Sequence, residues 1–398
     1  MKKYVLALLT LGLLLSGSLY SENPFEKIRI NGFLSQAYMK SQKNNFLTRS
    51  KQGSFEINEL GLTVSTNLTD RLRFGFQLFS RDLGELGNNN VVLDWGFGDY
   101  RVSNWLGIRF GKVKAPFGLY NEGRDTDFLR PMAFLPQSLY TETYRGFIVA
   151  YQGVGLYGNL FLGGAGDISY QGYVGTNNIS KEETLVKHLQ NMLNLLTPMT
   201  GVTVTDMSVN TRLAAGGKVE WNTPLTGLKT AASFVHFQGD FLQHAGAPRI
   251  GFIKVPKWWI ISLEYVLNNF TLASEYGEMT TNIEAFDIPL ENQTNQTFYV
   301  MLSYMLTNKL TLTGLYDVFY DNKKDKKGVY FTEMGLPDHM AWRKDIGACL
   351  RYDFNPHWTI KAEYHKIDGT GLYIQLYNYG TPFERKWSYF IFKTSFNF

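Results

Sequence analysis

The stretch Trp387-Ser-Tyr-Phe-Ile-Phe-Lys-Thr-Ser-Phe-Asn-Phe398 alternates between aromatic and polar side chains. The aromatic residues of one face are Phe390, Phe392, Phe396 and Phe398, and the opposite face includes Lys393 and Ser395. A period of two predicts a β-strand, and an aromatic face opposite a polar one suits a strand between lipid and water. A soluble sheet can alternate in the same way, so the rest of the chain has to decide between the two.

The other end of the sequence has the pattern of a secretory signal. Met1-Lys-Lys is positive, residues 4–15 are apolar, and residues 16–21 are mostly small. We therefore predict a signal peptide over 1–21 and one barrel domain over 22–398. No later run reaches the roughly 18 apolar residues that a membrane-spanning helix needs. If the mature chain spans a membrane, it must do so as a closed β-barrel.

The composition fits this interpretation. Aromatic residues make up 15% of the chain, and 38 glycines predict frequent turns. Removing Lys2 and Lys3 with the signal leaves 37 basic against 35 acidic residues. A nucleic-acid partner is not expected, because such proteins carry a larger and clustered basic excess.

Alternating segments recur along the mature chain at intervals of about 23 residues. Sixteen are predicted, over 28–38, 55–66, 72–81, 91–101, 106–114, 147–162, 168–177, 209–221, 228–238, 258–267, 270–279, 297–306, 310–320, 346–354, 358–367 and 386–398. In the sixth segment Gly153, Gly155 and Gly158 predict a bulge or kink.

Short and long connections alternate between these segments. The short ones, such as Asn268-Asn269 and Asn355-Pro-His357, contain the residues that favour tight turns. With an even strand number and both termini in the periplasm, these become periplasmic turns, and the long connections become eight extracellular loops. The predicted fold is all-β: a transmembrane antiparallel barrel of about sixteen strands, with short turns at one end and long loops at the other.

The most specific internal motif is Arg109-Phe-Gly-Lys-Val-Lys-Ala-Pro-Phe-Gly118, which leads into the third long loop. It resembles bacterial outer-membrane porins, in particular the phosphate-selective O/P type and related uncharacterised porins. The terminal Phe398 likewise resembles the residue that the barrel insertion machinery reads. The resemblance implies a homotrimer whose third loop, 115–146, folds into the pore. The charge of that loop would then be set by Glu122, Arg124, Asp125, Asp127, Arg130, Glu142 and Arg145.

Strand alternation adds basic residues from the barrel wall. Leu72, Phe74 and Phe76 are expected to face lipid, which turns Arg71 and Arg73 inward. By the same alternation, Arg109 faces inward. We hypothesise that these three arginines lie on neighbouring strands opposite the acidic loop and create a transverse field across the constriction. The alternative is that they simply line a wet interior. The long basic ladder expected of phosphate-specific members is absent, because acidic residues nearly match basic ones.

The fourth loop predicts a short amphipathic helix near 181–196. Ser180-Lys-Glu-Glu183 reads as a capping box, an apolar stripe follows, and Pro198 ends the helix. This helix either packs over the rim or a neighbouring subunit, or partly closes the mouth. In a later loop, Lys323-Lys-Asp-Lys-Lys327 is a solvated tip or a contact for lipopolysaccharide.

These features predict a porin integral to the bacterial outer membrane, a channel through which small hydrophilic solutes and ions diffuse passively. The alternatives are a substrate-specific channel for anions or small organic solutes and, less favoured, a receptor or enzyme barrel. We expect no enzymatic activity, since no catalytic set is evident, and neither a cofactor nor a metal. Gly153-Val-Gly-Leu-Tyr-Gly158 continues a strand instead of opening a helix, so it does not predict a dinucleotide site.

Overall fold

A computed structural model gives the fold of residues 28–84, 87–142, 145–179, 181–244, 246–372, 378 and 383–398. The expected signal peptide lies outside these residues. Within them no helix is long and apolar enough to cross a membrane.

One antiparallel sheet accounts for nearly all regular structure. Its strands are β1 (Ile28–Gln42), β2 (Ile57–Asn67), β3 (Leu72–Leu83), β4 (Val92–Arg101), β5 (Gly107–Lys114), β6 (Ala150–Phe161), β7 (Asp167–Thr176), β8 (Asn178–Ile179), β9 (Ser208–Asn222), β10 (Leu228–Leu242), β11 (Arg249–Leu267), β12 (Phe270–Ala285), β13 (Ile288–Thr307), β14 (Leu310–Tyr320), β15 (Trp342–Asn355), β16 (Trp358–Asp368) and β17 (Lys386–Asn397).

The sheet closes on itself, because β1 pairs with β2 on one side and with β17 on the other. β8 is a two-residue strand that pairs with the end of β9, so the barrel wall consists of sixteen long strands. A closed barrel leaves no edge strand unpaired. The predicted fold class and all sixteen predicted strands are confirmed.

The closing strand separates its two faces as the alternation predicts. Phe390, Phe392 and Phe396 are 41–44% exposed on the outer face, whereas Lys393 on the inner face is 1% exposed. The same contrast recurs around the barrel, where exposed large apolar side chains occupy the outward positions. The outer surface is therefore apolar and the inner face contains most of the buried charged groups.

The connections define two ends. We call the end with the short connections, such as those between β11 and β12 or between β15 and β16, the turn end. The other is the loop end. The sequence predicts a long loop over 280–296 for the sixth loop-end connection. In the structure β12 and β13 instead continue to a two-residue turn at Phe286 and Asp287, both with positive φ. Polar residues on both faces of 280–285 and 288–296 weaken the period-two contrast there.

Of the bulge or kink predicted in β6, the bulge is absent. β6 pairs with β5 and β7 without a register shift. Its glycines instead allow close packing: a Cβ at Gly155 would lie 2.0 Å from the Tyr151 hydroxyl, and one at Gly153 would lie 2.2 Å from the carbonyl oxygen of Val174. The ring of Tyr151 stacks on Tyr173 at 4.2 Å.

Among the described residues the α-helices are short and lie in the loop-end connections, while one 3-10 helix, Gly163–Ala165, lies at the turn end. The α-helices are Gln137–Tyr140, Arg145–Ile148, Thr184–Asn194, Thr197–Thr200 and Val329–Glu333. The helix expected near 181–196 is present, but its N-cap residue Glu183 makes no side-chain capping bond. Ser180, the predicted cap, lies outside the described residues.

Candidate functional site

The connection between β5 and β6, residues 115–149, folds into the barrel, and we call it the inner loop. Phe117 is fully buried, and its ring meets Trp258 of β11 edge-on at 4.5 Å. Gly118 then turns with φ +56°, where a Cβ would lie 2.2 Å from the Tyr140 hydroxyl. The Pro-Phe-Gly part of the motif thus inserts an aromatic side chain across the lumen, and only glycine fits the turn that follows.

The far wall holds the inner loop through Glu275 of β12. Its carboxylate accepts hydrogen bonds from the backbone N–H of Leu119 at 2.9 Å and from the Tyr140 hydroxyl at 2.5 Å. The hydroxyls of Ser262 and Tyr299 donate to the same carboxylate. One buried acid therefore fixes both the start and the later part of the inner loop.

A second anchor, which we call the Asp127 network, ties the inner loop to β2, β16 and β17. Asp127 lies 3.0 Å from Lys361 Nζ and 2.9 Å from Lys393 Nζ. Arg130 bridges Asp127 at 2.9 Å and Glu59 at 2.5 Å, and Lys393 also reaches Glu59 at 2.6 Å. All five side chains are buried, so the pairs are shielded from water and salt.

Two buried acids of the inner loop, Asp127 and Glu142, stay ionised despite burial. Burial alone raises the pKa of the Asp127 carboxyl, but Lys361, Lys393 and Arg130 outweigh it and hold that pKa well below its usual value. The pKa of Glu142 is likewise raised by burial and lowered further by Arg124 and Arg81, so that it ends below its usual value. These carboxylates therefore act as charged anchors at neutral pH.

Two further ion-pair groups hold the start and the end of the inner loop. In the first group, Lys114 of β5 and Arg145 each form ion pairs with both Asp94 of β4 and Asp125. Arg145 Nη2 lies 2.9 Å from Asp94 and 2.5 Å from Asp125. Glu142 accepts from Arg81 of β3 at 2.5 Å and from Arg124 at 3.1 Å. Every charged group of the two sets is buried and paired with an opposite charge.

The middle of the inner loop meets a ladder of charges on β14 to β16. The backbone N–H groups of Ser138 and Ala133 donate to Asp317 and Glu363. The ladder continues across the wall, because Arg343 bridges Asp317 and Asp345, and His365 contacts both Asp345 and Glu363.

Arginines gather at the turn end instead. Asp99 of β4 accepts from Arg73 at 3.0 Å and from Arg109 at 3.5 Å, and the Tyr157 hydroxyl also donates to it. These four residues border a cavity of about 1030 Å³, which we call the arginine basin. Its charged lining residues are Arg29, Arg71, Arg73, Arg101, Arg109, Asp70 and Asp99. Five arginines against two aspartates leave the basin with a positive net charge.

The hypothesised transverse field does not match these contacts. Arg73 and Arg109 lie on β3 and β5, separated by β4, and both pair with Asp99 of that strand. The inner-loop acids Asp125, Asp127 and Glu142 are neutralised by other cations. Only Glu122 lies towards the arginines, since Gln171 links it to Arg109 while Lys218 pairs with it at 2.8 Å.

The ten candidate residues therefore fall into two groups. Arg71, Arg73 and Arg109 border the basin, and Glu122 is exposed and linked to Arg109 through Gln171. The buried and ion-paired ones are Arg124, Asp125, Asp127, Arg130, Glu142 and Arg145. Sequence reasoning missed Glu59 and Lys114. Glu59 was detectable, because Leu60, Leu62 and Val64 alternate with it on the outer face of β2.

At the loop end the lumen is apolar. The helix Thr184–Asn194 buries Val186, Leu189 and Leu193 against inward residues of β10 and β11 such as Phe237 and Ile253. It thereby borders a cavity of about 270 Å³, which we call the loop-end cavity. The interpretation that this helix partly closes the mouth agrees with its position.

No protein-family model and no curated protein matches the chain. Several solved structures do. The outer-membrane OmpT of Vibrio cholerae has a TM-score of 0.56 at 11% identity, covering 96% of this chain and 99% of that one. OmpF of Salmonella typhi, in complex with daunomycin, has 0.59 at 13%, covering 93% and 97%. The anion-selective porin from Comamonas acidovorans has 0.57 at 11%, covering 93% and 99%.

The chain has the fold of the outer-membrane porins. The likeness extends over nearly the whole length of both chains, and the wall of this chain is a closed antiparallel barrel of sixteen long strands. At this identity the likeness establishes the architecture, and the chemistry of the interior has to be argued from this chain's own residues.

Proposed function

We propose that the protein is an outer-membrane porin through which small hydrophilic solutes and ions diffuse passively. The observation that carries the proposal is the inner loop, which crosses the lumen of a sixteen-stranded barrel and narrows it. Barrels of this strand number enclose a channel after their side chains are placed. The apolar outer surface supports a position within the outer membrane, with the turn end in the periplasm and the loop end outside.

Reconstitution into planar lipid bilayers tests this proposal. The purified protein is expected to produce discrete, ohmic current steps in potassium chloride, because a fixed constriction gives each molecule one conductance. Heat-denatured protein at the same concentration is the control and should give none. A correctly folded protein that inserts and stays silent would overturn the channel proposal in favour of a receptor or structural barrel.

A second candidate function is a channel selective for anions, and the arginine basin favours it. The basin surrounds the turn-end mouth with five arginines, and a low-dielectric wall strengthens their attraction for anions. One structurally similar porin is anion-selective. The motif ending at Gly118 supports kinship with O/P-type porins, but the near balance of acids and bases argues against a preference for phosphate.

Neutralising the basin is expected to weaken anion preference. In the triple variant Arg71→Gln, Arg73→Gln and Arg109→Gln, the reversal potential in a potassium chloride gradient should shift towards cations at low salt. The shift should fade near 1 M, where the Debye length is roughly 3 Å. Lys324→Gln, Lys326→Gln and Lys327→Gln remove the same charge at the loop end as the control. Equal reversal potentials in the two triple variants would count against the basin.

The accessible and the buried candidate residues have different proposed roles. We propose that Arg71, Arg73, Arg109 and Glu122 line the solute path. The other six inner-loop residues would shape it indirectly, by holding the loop in place. Their burial supports an anchoring role, because side chains without water access do not contact a passing ion.

The expected partners stay proposals. Trimeric assembly is supported by a trimer form of the similar Vibrio cholerae OmpT. Phe398 is 71% exposed and extends the outer aromatic face, which supports recognition by the insertion machinery. For lipopolysaccharide, Lys324, Lys326 and Lys327 are exposed candidates, although Lys326 also lies over the ring of Tyr320, whereas Lys323 pairs with Glu278. The proposal includes no enzymatic activity.

A further inference from the structure

The loop-end cavity lies inside the barrel at the loop end, and its walls differ from those of a hydrated lumen. With about 270 Å³ it is a partly open space between the helix Thr184–Asn194, the extended ends of β10 to β14 and the loops beyond them. Apolar and aromatic side chains form most of its wall, including Phe147, Leu189, Met192, Phe237, Trp258 and Ile283. Water gains little in such a space, because the wall has few hydrogen-bonding groups.

Two carboxylates border this apolar cavity. Glu291 and Asp321 line it, and each is half-buried. Gln293 donates to Asp321 from 2.8 Å, which satisfies part of one carboxylate. Burial raises the pKa of the Asp321 carboxyl, so its surroundings are already less polar than water.

Neither carboxylate has a cationic partner among the residues that the structure describes. The nearby Lys323 is paired with Glu278 at 2.8 Å. His188 lines the same cavity, but burial lowers the pKa of its imidazole and keeps it neutral. The undescribed stretches 373–377 and 379–382 contain no lysine or arginine in their sequence. Within the part of the chain that the structure describes, the two acids are thus close to each other with no cationic side chain beside them, and burial together with the Asp321 carboxylate raises the pKa of Glu291 to about 8.

We propose that the loop-end cavity binds a small amphipathic amine, with its apolar body against the aromatic and aliphatic wall and its ammonium group at Glu291 and Asp321. An anion would meet two carboxylates, and a hydrocarbon would leave both without a partner. The cavity is slightly smaller than the roughly 300–1,000 Å³ of most ligand sites, which suits one ring with a short chain. The inference rests on the proposed channel function, because the site is a step in solute passage only if solutes pass through the barrel.

Calorimetry on the folded full-length protein in detergent tests the binding. Phenethylammonium combines a ring with a cation, whereas 3-phenylpropionate has the ring with an anion and ethylammonium has the cation without the ring. We expect measurable binding of phenethylammonium and at least about tenfold weaker binding of the other two, since each loses one of the two contributions. Equal affinity for phenethylammonium and 3-phenylpropionate would overturn the proposal.

Variants locate the binding within the protein. Glu291→Gln preserves shape and removes an acid that can ionise beside the ammonium group, and should weaken phenethylammonium binding about tenfold, the value of one charge-assisted hydrogen bond. Asp321→Asn provides the same test at the second carboxylate if the first variant misfolds. Glu333→Gln is the matched control, because Glu333 is exposed at the same end and does not line the cavity. Unchanged affinity in a folded Glu291→Gln or Asp321→Asn variant would overturn the assignment.

Current recordings separate this inference from the channel proposal. Phenethylammonium added on the loop side should interrupt the current through the wild type and do so less in Glu291→Gln. A conducting channel that does not bind the amine contradicts the loop-end site alone. Calorimetric binding by a protein that never conducts contradicts the porin proposal while leaving the site in place.

Discussion

Replacing residues 116–147 by a short glycine–serine linker is expected to raise the single-channel conductance several-fold. The inner loop enters beside Lys114, crosses to Trp258 and Glu275, and returns along β14 to β17, so it occupies much of the cross-section. A short linker can close the gap, because the backbone N–H of Ala115 donates to the carbonyl of Val149 at 3.1 Å. Without the loop, the wall charges that it covers become hydrated instead of remaining buried.

The measurement is the conductance histogram in 1 M potassium chloride, with circular dichroism to verify the β-sheet content. Replacing residues 324–336 by the same linker is the control, since that segment is largely exposed at the loop end. We expect the control to keep the wild-type conductance. If the inner-loop deletion folds and conducts no more than the control, the narrowest point of the channel lies elsewhere, and the loop does not form the constriction.

The barrel wall can be predicted from sequence because each strand residue depends mainly on its own surroundings: apolar side chains face lipid and polar ones face the lumen. Phe390 and Phe392 on one face, and Lys393 on the opposite face, therefore indicate both the strand and its orientation. This contrast is lost where a strand leaves the membrane. Residues 280–285 and 288–296 are strand in the structure, yet polar residues on both faces hide the period of two.

The interior was less predictable, because its contacts join residues far apart in the chain. The resemblance to porins predicts Asp127 and Arg130 among the charges of a pore. The structure instead pairs them with Glu59, Lys361 and Lys393 from three strands, which alternation alone cannot select. The near balance of acids and bases, which argued against a phosphate ladder, has a physical counterpart in these pairs: much of the charge inside the barrel is used to hold the inner loop.

The largest effect of a single substitution is therefore expected at Asp127. Asp127→Asn keeps the side-chain shape and removes the charge that Lys361, Lys393 and Arg130 share, leaving three buried cations with Glu59 alone. Breaking a buried ion pair by removing one partner costs about 3–5 kcal/mol. We expect a clear drop in the urea concentration at which the protein unfolds in detergent, and a noisier channel as the inner loop loses its anchor.

A control variant and the pH dependence of stability test whether the lost charge causes the destabilisation of Asp127→Asn. Asp206→Asn removes an exposed partner of Lys181 and should not change the unfolding midpoint. Because the pKa of Asp127 in the folded protein lies well below the usual 3.8, its stabilisation is complete above roughly pH 5 and is lost as the pH falls through the folded value. The difference between wild type and Asp127→Asn should therefore be full at pH 7 and shrink in acid. A variant as stable as Asp206→Asn at pH 7 would mean that water replaces the lost charge, and that the inner loop is held by its contacts to Glu275 and Trp258 instead.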